Sequence, residues 1–380
     1  MKIDDKTSHN SPSLRFPEFT GEWKYFSIND VCSEFKSGKN IKADLISSNG
    51  NFPVYGGNGL RGYTSSYNHD GLYVLIGRQG ALCGNVRSVF GKIYITEHAI
   101  AVAGNEKSDT NFLHYLFLKM NLGQYSDQSA QPGLAVNKLL KLKVLLPSIS
   151  EQIKIAKLLS LLDERIAVQS RLIDRLQSLI KGINRTIFTG SGLEYSLCDV
   201  CEIRSGYSGN QLQGGKGLGV SRIETISAHN INLERIGYVA PFDASENYRL
   251  QVGDILFSNI NSVEYIGNTA FIDKDYNLYH GMNLLRLIPF RNVVVPFYLY
   301  ILLNTNRMLK HFKTICNKAV SQASINQKEL GKTIVMLPSL EKQKQVCNIY
   351  QAMYSKLKTE KDVLSFYQEQ KRYLLRHMFI

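Results

Sequence analysis

Apolar positions along the chain change period twice, in the same order each time. Ile155, Leu159, Leu162, Ile166, Gln169, Ile173, Leu176, Ile180, Ile183 and Ile187 step by alternating fours and threes, and only Gln169 is polar. That spacing holds one stripe of a helix against a partner helix, so it predicts a long heptad helix. A shift of 191 positions gives Val346, Tyr350, Met353, Leu357, Glu360, Leu364, Tyr367, Lys371, Leu374 and Met378, eight of the ten apolar. The polar break at Gln169 falls on Glu360. Two seams of equal length most simply pack on each other. The antiparallel sense is preferred, with a globular part at each end; the alternative is that each helix covers only its own domain.

The repeat extends beyond the seams. Leu146-Pro147-Ser148 recurs as Leu337-Pro338-Ser339, and a glutamine follows each proline by five residues, Gln152 and Gln343. Asp30-Val31-Cys32 matches Asp199-Val200-Cys201, and Phe35-Lys36-Ser37-Gly38 matches Ile203-Arg204-Ser205-Gly206. Between these shared ends the halves diverge, so one frame carries two different contents.

The segments outside the seams read as mixed α/β. Tyr73–Ile76 and Ile255–Phe257 have the short β-prone pattern of strands, and Phe112–Met120 and Phe297–Lys310 have helical periodicity. Turns are marked at Tyr55–Gly59 and Gln213–Gly217. The fold class is α+β: two mixed α/β domains, each followed by a long helix, the helices pairing as an antiparallel coiled coil in a pseudo-two-fold repeat. The boundaries follow: a flexible N-terminus at 1–13, a first globular domain at 14–146, a helix at 147–190, a second domain at 191–337 and a second helix at 338–380.

Charge narrows the partners. Lys and Arg number 45 against 32 acidic residues, a formal +13, which favours a polyanion, either nucleic acid or a membrane surface. The two helices hold +7 of this excess, which also suits a docking surface for proteins. The longest apolar run, Val293–Leu303, is too short to span a bilayer and contains Pro296, so no membrane partner is expected. Six cysteines in 380 residues, behind a polar Met1–Asn10, fit reduced thiols in the cytoplasm.

Catalytic chemistry is not assembled. Gly214-Gly215-Lys216-Gly217 lacks the earlier glycine and the Ser or Thr of a phosphate loop. Cys198 and Cys201 have no second ligand pair for a metal. No proline precedes an aspartate, no two prolines are adjacent, and His98 and His280 lack a carboxylate at motif spacing, so they read as loop or buried histidines. The expectation is a chain without catalytic residues, metal or cofactor of its own.

Binding chemistry remains. Loops near the predicted strands are rich in side chains that read base edges. The first half offers Lys39, Lys42, Asn58, Arg61, Tyr63, Tyr67, Arg78, Gln79, Gln128 and Gln131. The second offers Arg204, Asn210, Gln211, Lys216, Arg222, His229, Asn230, Asn259, Asn261, Lys318 and Gln322. Any one of them alone is as readily a solvated loop residue; the two clusters carry the expectation of double-stranded DNA.

With these residues in view, the chain resembles the specificity subunit of a type I restriction-modification system. The resemblance rests on Leu14-Arg15-Phe16-Pro17-Glu18-Phe19 with Trp23, the Leu-Pro-Ser start and following glutamine of each helix, and Gly253-Asp254-Ile255-Leu256-Phe257-Ser258. It implies that each variable segment is a target recognition domain reading one half of a split DNA site. It also implies that the paired helices set the spacing and hold methyltransferase subunits. Restriction and translocase subunits are further partners, and S-adenosylmethionine, ATP and Mg would sit on partner subunits. The rivals are an enzyme with an unfamiliar site and an adaptor that binds only proteins.

Overall fold

The computed structural model describes residues 10–127, 132–187, 192–212, 215–226, 230–318 and 322–380. Its contacts gather into two units, Met1–Arg171 with Lys361–Ile380, and Leu172–Glu360. Both long helices are therefore divided, each giving one half to each unit.

In the first unit, β1 (Lys24–Ser27), α1 (Ile28–Val31) and β2 (Cys32–Ser37) lead into β3 (Phe52–Gly56), β4 (Gly59–Thr64), β5 (His69–Gly77), β6 (Val86–Ile95) and β7 (Ala99–Gly104). Then come α2 (Thr110–Met120), α3 (Val136–Leu139), β8 (Lys143–Leu146) and α4 (Ile149–Ile187). Six strands form one sheet in the order β2-β7-β5-β6-β3-β4, and β1 pairs with β8. The adjacent strands β5 and β7 are apolar on both faces because each face meets a core. Val74, Ile76, Ile100 and Val102 pack with Phe112 and Phe117 of α2. The alternate residues Leu75, Ala99 and Ala101 pack with Val89, Ile93 and Ile95 of β6. This period-two division turns a continuous apolar run into a two-sided strand.

The second unit repeats the frame with different contents. β9 (Leu193–Ser196), α5 (Leu197–Val200) and β10 (Cys201–Ser205) correspond to β1, α1 and β2. β11 (Leu218–Val220), β12 (Gly237–Val239), β13 (Ile255–Phe257), β14 (Ile260–Asn261), β15 (Thr269–Phe271) and β16 (Leu285–Pro289) follow. The unit continues with α6 (Pro296–Leu303), α7 (Asn306–Ile315), β17 (Asn317–Lys318), β18 (Ala323–Ser324), α8 (Gln327–Gly331) and β19 (Ile334–Leu337), before α9 (Leu340–His377). Its main sheet is β10-β16-β13-β15, and the β9–β19 pair matches β1–β8.

The periodicity over Phe297–Lys310 predicts one helix, whereas the structure has two. Asn304 donates its amide to Tyr300 O (2.7 Å) and Thr269 Oγ1 (2.6 Å), and the Thr305 hydroxyl caps the next helix at Met308 N–H. A side-chain cap outcompetes continuation of the helix there.

The repeated glutamines have a structural purpose. Gln152 and Gln343 are both 0% exposed. Asp109 N–H donates to Gln152 Oε1 at 2.9 Å, and Gln152 Nε2 donates to Lys107 O and Pro147 O, each at 3.0 Å. In the second unit Val295 N–H donates to Gln343 Oε1 at 2.8 Å, and Gln343 Nε2 donates to Val293 O (3.3 Å) and Pro338 O (2.9 Å). Each amide thus ties the start of a long helix to the segment ahead of α2 or α6. The capping boxes repeat too, Ser27 with Asp30 and Ser196 with Asp199.

The seam residues through Ile183 on α4, and all of those on α9, are buried or half-buried; the side chain of Ile187 lies outside the described residues. In the first unit Ile155, Leu159 and Leu162 of α4 share a core with Leu374, Met378 and Phe379 of α9, while Ile166 and Tyr367 pack at its edge. Lys371 forms an ion pair with Asp163, which also accepts from Tyr115 Oη at 2.9 Å. The N-terminal segment joins here: Leu14 N–H donates to His377 O (2.9 Å), and Arg15 pairs with buried Glu151 at 2.7 Å. In the second unit Val346 and Tyr350 of α9 lie in the core that Ile183 of α4 packs against. Ile173, Ile180 and Leu357 are buried, and Leu176 and Met353 half-buried, in this unit; Leu364 is half-buried in the first. Within each unit, then, the start of one long helix meets the end of the other, which is the antiparallel sense.

Candidate nucleic-acid interface

The first unit gathers its candidate residues where several strand ends converge. The β3–β4 turn holds exposed Asn58, and Gly59 there has φ +102°, which a side chain would strain. The Arg87 guanidinium lies against Gly59, 3.0 Å from where a Cβ would stand, and the Arg61 side chain covers Gly56. Gly57 approaches His98 O and Gln79 O, so this turn and the loop after β5 touch. Arg78 N–H donates to His98 O at 2.9 Å. Exposed Gln79 meets His98 Nδ1 through Oε1 at 3.0 Å, and His98 Nε2 lies 3.1 Å from Glu97. Gly38 is close enough to Ile95 O that a Cβ would stand 2.2 Å away, and Lys39 follows with its N–H on Ile95 O.

Asn58, Arg61, Arg78 and Gln79 are therefore brought together, with Arg87 and His98 among them. Arg87 escapes a search of loops because it belongs to a strand. The outward phase of β6 beside inward Val86 is the signal that finds it. Lys42 is exposed before a short turn at Ala43–Leu45, and Tyr63 is half-buried on β4, pairing with Ser47. Gln128 and Gln131 lie outside the described residues.

In the second unit the candidates divide. The β14-β18-β17 sheet places Asn261 and Lys318 both opposite Ala323, next to exposed Gln322. Asn259 and Asn261 spend their amides on the loop itself: Asn259 donates to Ile325 O (3.3 Å), and Asn261 bonds Ser258 Oγ (3.1 Å) and Ser262 N–H (2.8 Å). They shape the segment from Ser258 to Ser262, and Asn259 ties it to Ile325 just past β18. Gln211 and Arg222 converge on Gly237 at a second place, where Arg222 also faces Glu224 at 3.5 Å. Lys216 is exposed between two glycines of positive φ. Arg204 is held bidentately by Glu202 at 2.7 and 2.9 Å. Asn230 opens on a groove of about 570 Å³ lined by Phe271, Tyr276, Phe297, Tyr300 and Tyr354. His229 lies outside the described residues.

Other titratable groups are accounted for by burial. His280 is 1% exposed, its Nε2 lies 3.0 Å from Leu284 O, and desolvation lowers its pKa to about 4. Cys201 is pushed up to about 12 by burial and donates to Leu197 O, while Cys198 is exposed. Among the described residues no three His, Cys, Asp or Glu side chains gather to hold a metal ion. No helix among them is long and apolar enough to cross a membrane.

A second helical stripe lies outside the seam. Leu161, Val168, Leu172 and Leu179 of α4 are 49, 55, 37 and 55% exposed, and Arg165 and Arg175 complete their four-three spacing. On α9, Phe366 and Tyr373 are 67 and 56% exposed. Apolar side chains exposed at heptad spacing mark a face suited to further helices.

Comparison with known proteins accords with this arrangement. The family model for the type I restriction modification DNA specificity domain matches twice, over residues 20–178 and 193–365. The EcoprrI type I restriction enzyme specificity subunit of Escherichia coli is 42% identical over 154 residues, 40% of this chain and 38% of that protein. The putative MjaX type I restriction enzyme specificity subunit of Methanocaldococcus jannaschii is 38% identical over 187 residues, 48% of this chain and 44% of that protein. Each match spans less than half the length of the curated relative. The crystal structure of a type I restriction-modification S subunit from M. genitalium has the same fold, with a TM-score of 0.69 at 18% identity, covering 97% of this chain and 99% of that one.

Proposed function

The chain belongs to the type I restriction modification DNA specificity family, and we propose on that premise that it is the sequence-reading subunit of a restriction-modification complex. Each unit reads one half of a bipartite, asymmetric DNA site. The observation that carries this is the pairing of a shared frame with two unlike clusters. Asn58, Arg61, Arg78, Gln79 and Arg87 converge at the strand ends of one unit, while Lys318 and Gln322 ride a small three-stranded sheet in the other. Arginine suits guanine O6 and N7, and a Gln amide suits adenine, so clusters of different composition select different half-sites.

The chain itself performs no chemistry. S-adenosylmethionine, ATP and Mg belong to methyltransferase and restriction–translocase subunits, and the complex works in the cytoplasm. The outer stripe of Leu161, Val168, Leu172 and Leu179 on α4 offers the modification subunits an apolar face at helical spacing. The seam beneath it holds the two long helices together, and their length sets the separation of the half-sites.

The test begins with mapping methylated bases in the source genome and extracting the shared split motif. Replacing Arg78 and Gln79 by Ala should then weaken selectivity at one half by roughly 1–3 kcal/mol per lost bidentate contact, leaving the other half unchanged. Competition binding against duplexes altered in one half at a time measures this. Equal losses on specific and random DNA would assign the two residues to phosphates or to the fold.

A further inference from the structure

We propose that α7 of the second unit is a phosphate-gripping ridge, so that the two units hold the DNA backbone unequally. The inference rests on the reading that the second unit faces DNA, and it adds an element that base-edge chemistry does not identify. Helix α7 runs from Asn306 to Ile315 and buries Met308 and Phe312. Arg307, Lys310, Lys313 and Thr314 are exposed on its other side. The chain then passes directly into β17, which carries exposed Lys318. Among the described residues none of these four cations is in a salt bridge, unlike Arg204, Arg222 and Arg249 of the same unit.

The charge there is one-signed. From Tyr276 to Lys328 the chain contains no Asp or Glu. Phe312 packs on Gly267, so the neighbouring loop contributes one carboxylate, Glu264. The exposed apolar-free face and unpaired cations differ from an ordinary solvated surface helix, where signs are mixed. Three cations spaced three residues apart cover about 9 Å at ~1.5 Å per residue. That run suits two or three successive phosphates of one strand, which advance by ~3.4 Å each.

Among its described residues the first unit has no counterpart. Its α2 and the second unit's α6 both end just before an asparagine, Asn121 and Asn304. Asn121 to Gln131 contains no Lys or Arg, whereas Asn304 to Gln322 contains four. The ridge is therefore an insertion into the shared frame, placed immediately ahead of the sheet that presents Lys318 and Gln322.

Phosphate contacts add affinity and salt dependence without sequence information. The full chain with Arg307→Ala, Lys310→Ala and Lys313→Ala would be titrated onto two duplexes, one carrying the mapped motif and one scrambled, across a salt series. The expected result is weaker binding by the same factor on both duplexes, and a log affinity against log salt slope shallower by about 2–3. The charge-keeping set Arg307→Lys, Lys310→Arg and Lys313→Arg should restore the slope. A control set on α9, Lys344→Ala, Lys358→Ala and Lys361→Ala, should leave it unchanged. A wild-type slope in the α7 variant overturns the proposal, as does an equal change in the control or a change confined to the motif duplex. Failure of the wild-type chain to prefer the motif would instead refute sequence reading, while the slopes would still decide the ridge.

Discussion

At the scale of single residues, two buried side chains give the clearest tests. Gln152 and Gln343 each join three backbone groups and so tie the start of a long helix to the segment ahead of α2 or α6. Replacing either by Ala leaves an amide N–H and two carbonyls unsatisfied in the interior, which destabilises the unit by about 1–3 kcal/mol or more. Urea unfolding of each variant measures the loss, and an unchanged midpoint would show that water replaces the amide. His280 supplies a pH test. Its folded pKa, about 4, lies below the ordinary histidine value because burial disfavours the cation. The unfolded chain then binds the extra proton first, so this contribution to stability is complete above pH ~6.5 and is lost as pH falls toward ~4. The slope approaches ~1.4 kcal/mol per pH unit over that window. In His280→Gln the unfolding midpoint should fall less steeply between pH 7 and 4 than in the wild type; parallel curves would place the titration elsewhere.

At the scale of elements, the proposed function assigns folding and assembly to different faces of the long helices. The seam residue Ile173 is 7% exposed, whereas Leu172 beside it is 37% exposed. A charge at Ile173 or Leu364 should break the helix pair itself, lowering thermal stability and with it assembly, because a charge placed on the seam is desolvated without a partner. Charges at Leu172 and Leu179 should leave the chain as stable as the wild type yet prevent co-elution with methyltransferase subunits on size exclusion. Intact assembly after the outer substitutions would move the docking surface off this stripe. Polar seam positions are tolerated where the opposite element answers them, as Asp163 does for Lys371.

At the scale of the whole molecule, the proposed function makes helix length a property of the DNA site. One heptad adds ~10.5 Å, about three base pairs, but moves the new half-site about a third of a turn around the duplex. Adding one heptad to both helices at matched levels should therefore weaken binding to every spacer. Three heptads add ~31.5 Å, close to a full DNA turn. The preferred spacer should lengthen by about nine or ten base pairs with both half-sites unchanged. Selection from a library of spacer lengths reads the outcome, and an unchanged optimum would show that the helices are not the ruler.

Periodicity and repetition were enough to place the long helices, their seam and the duplicated frame, because each seam residue keeps its facing through local helix geometry alone. They also placed the strands Tyr73–Ile76 and Ile255–Phe257, where a short β-prone run lies between turns. They could not show why Gln152 and Gln343 recur, since a buried amide is defined by backbone groups some 40 to 50 residues away in sequence. Nor could they divide the candidate interface. Arg87 joins Asn58 and Gln79 only because β6 and the β3–β4 turn meet in space, and Asn259 turns inward only because Ile325 lies beside it. The break at Asn304–Thr305, which frees α7 to present a basic face, depends on Thr269 accepting the Asn304 amide from a different strand. Local pattern determined the elements; convergence of distant loops decided which side chains share a surface, because that depends on contacts no spacing rule encodes.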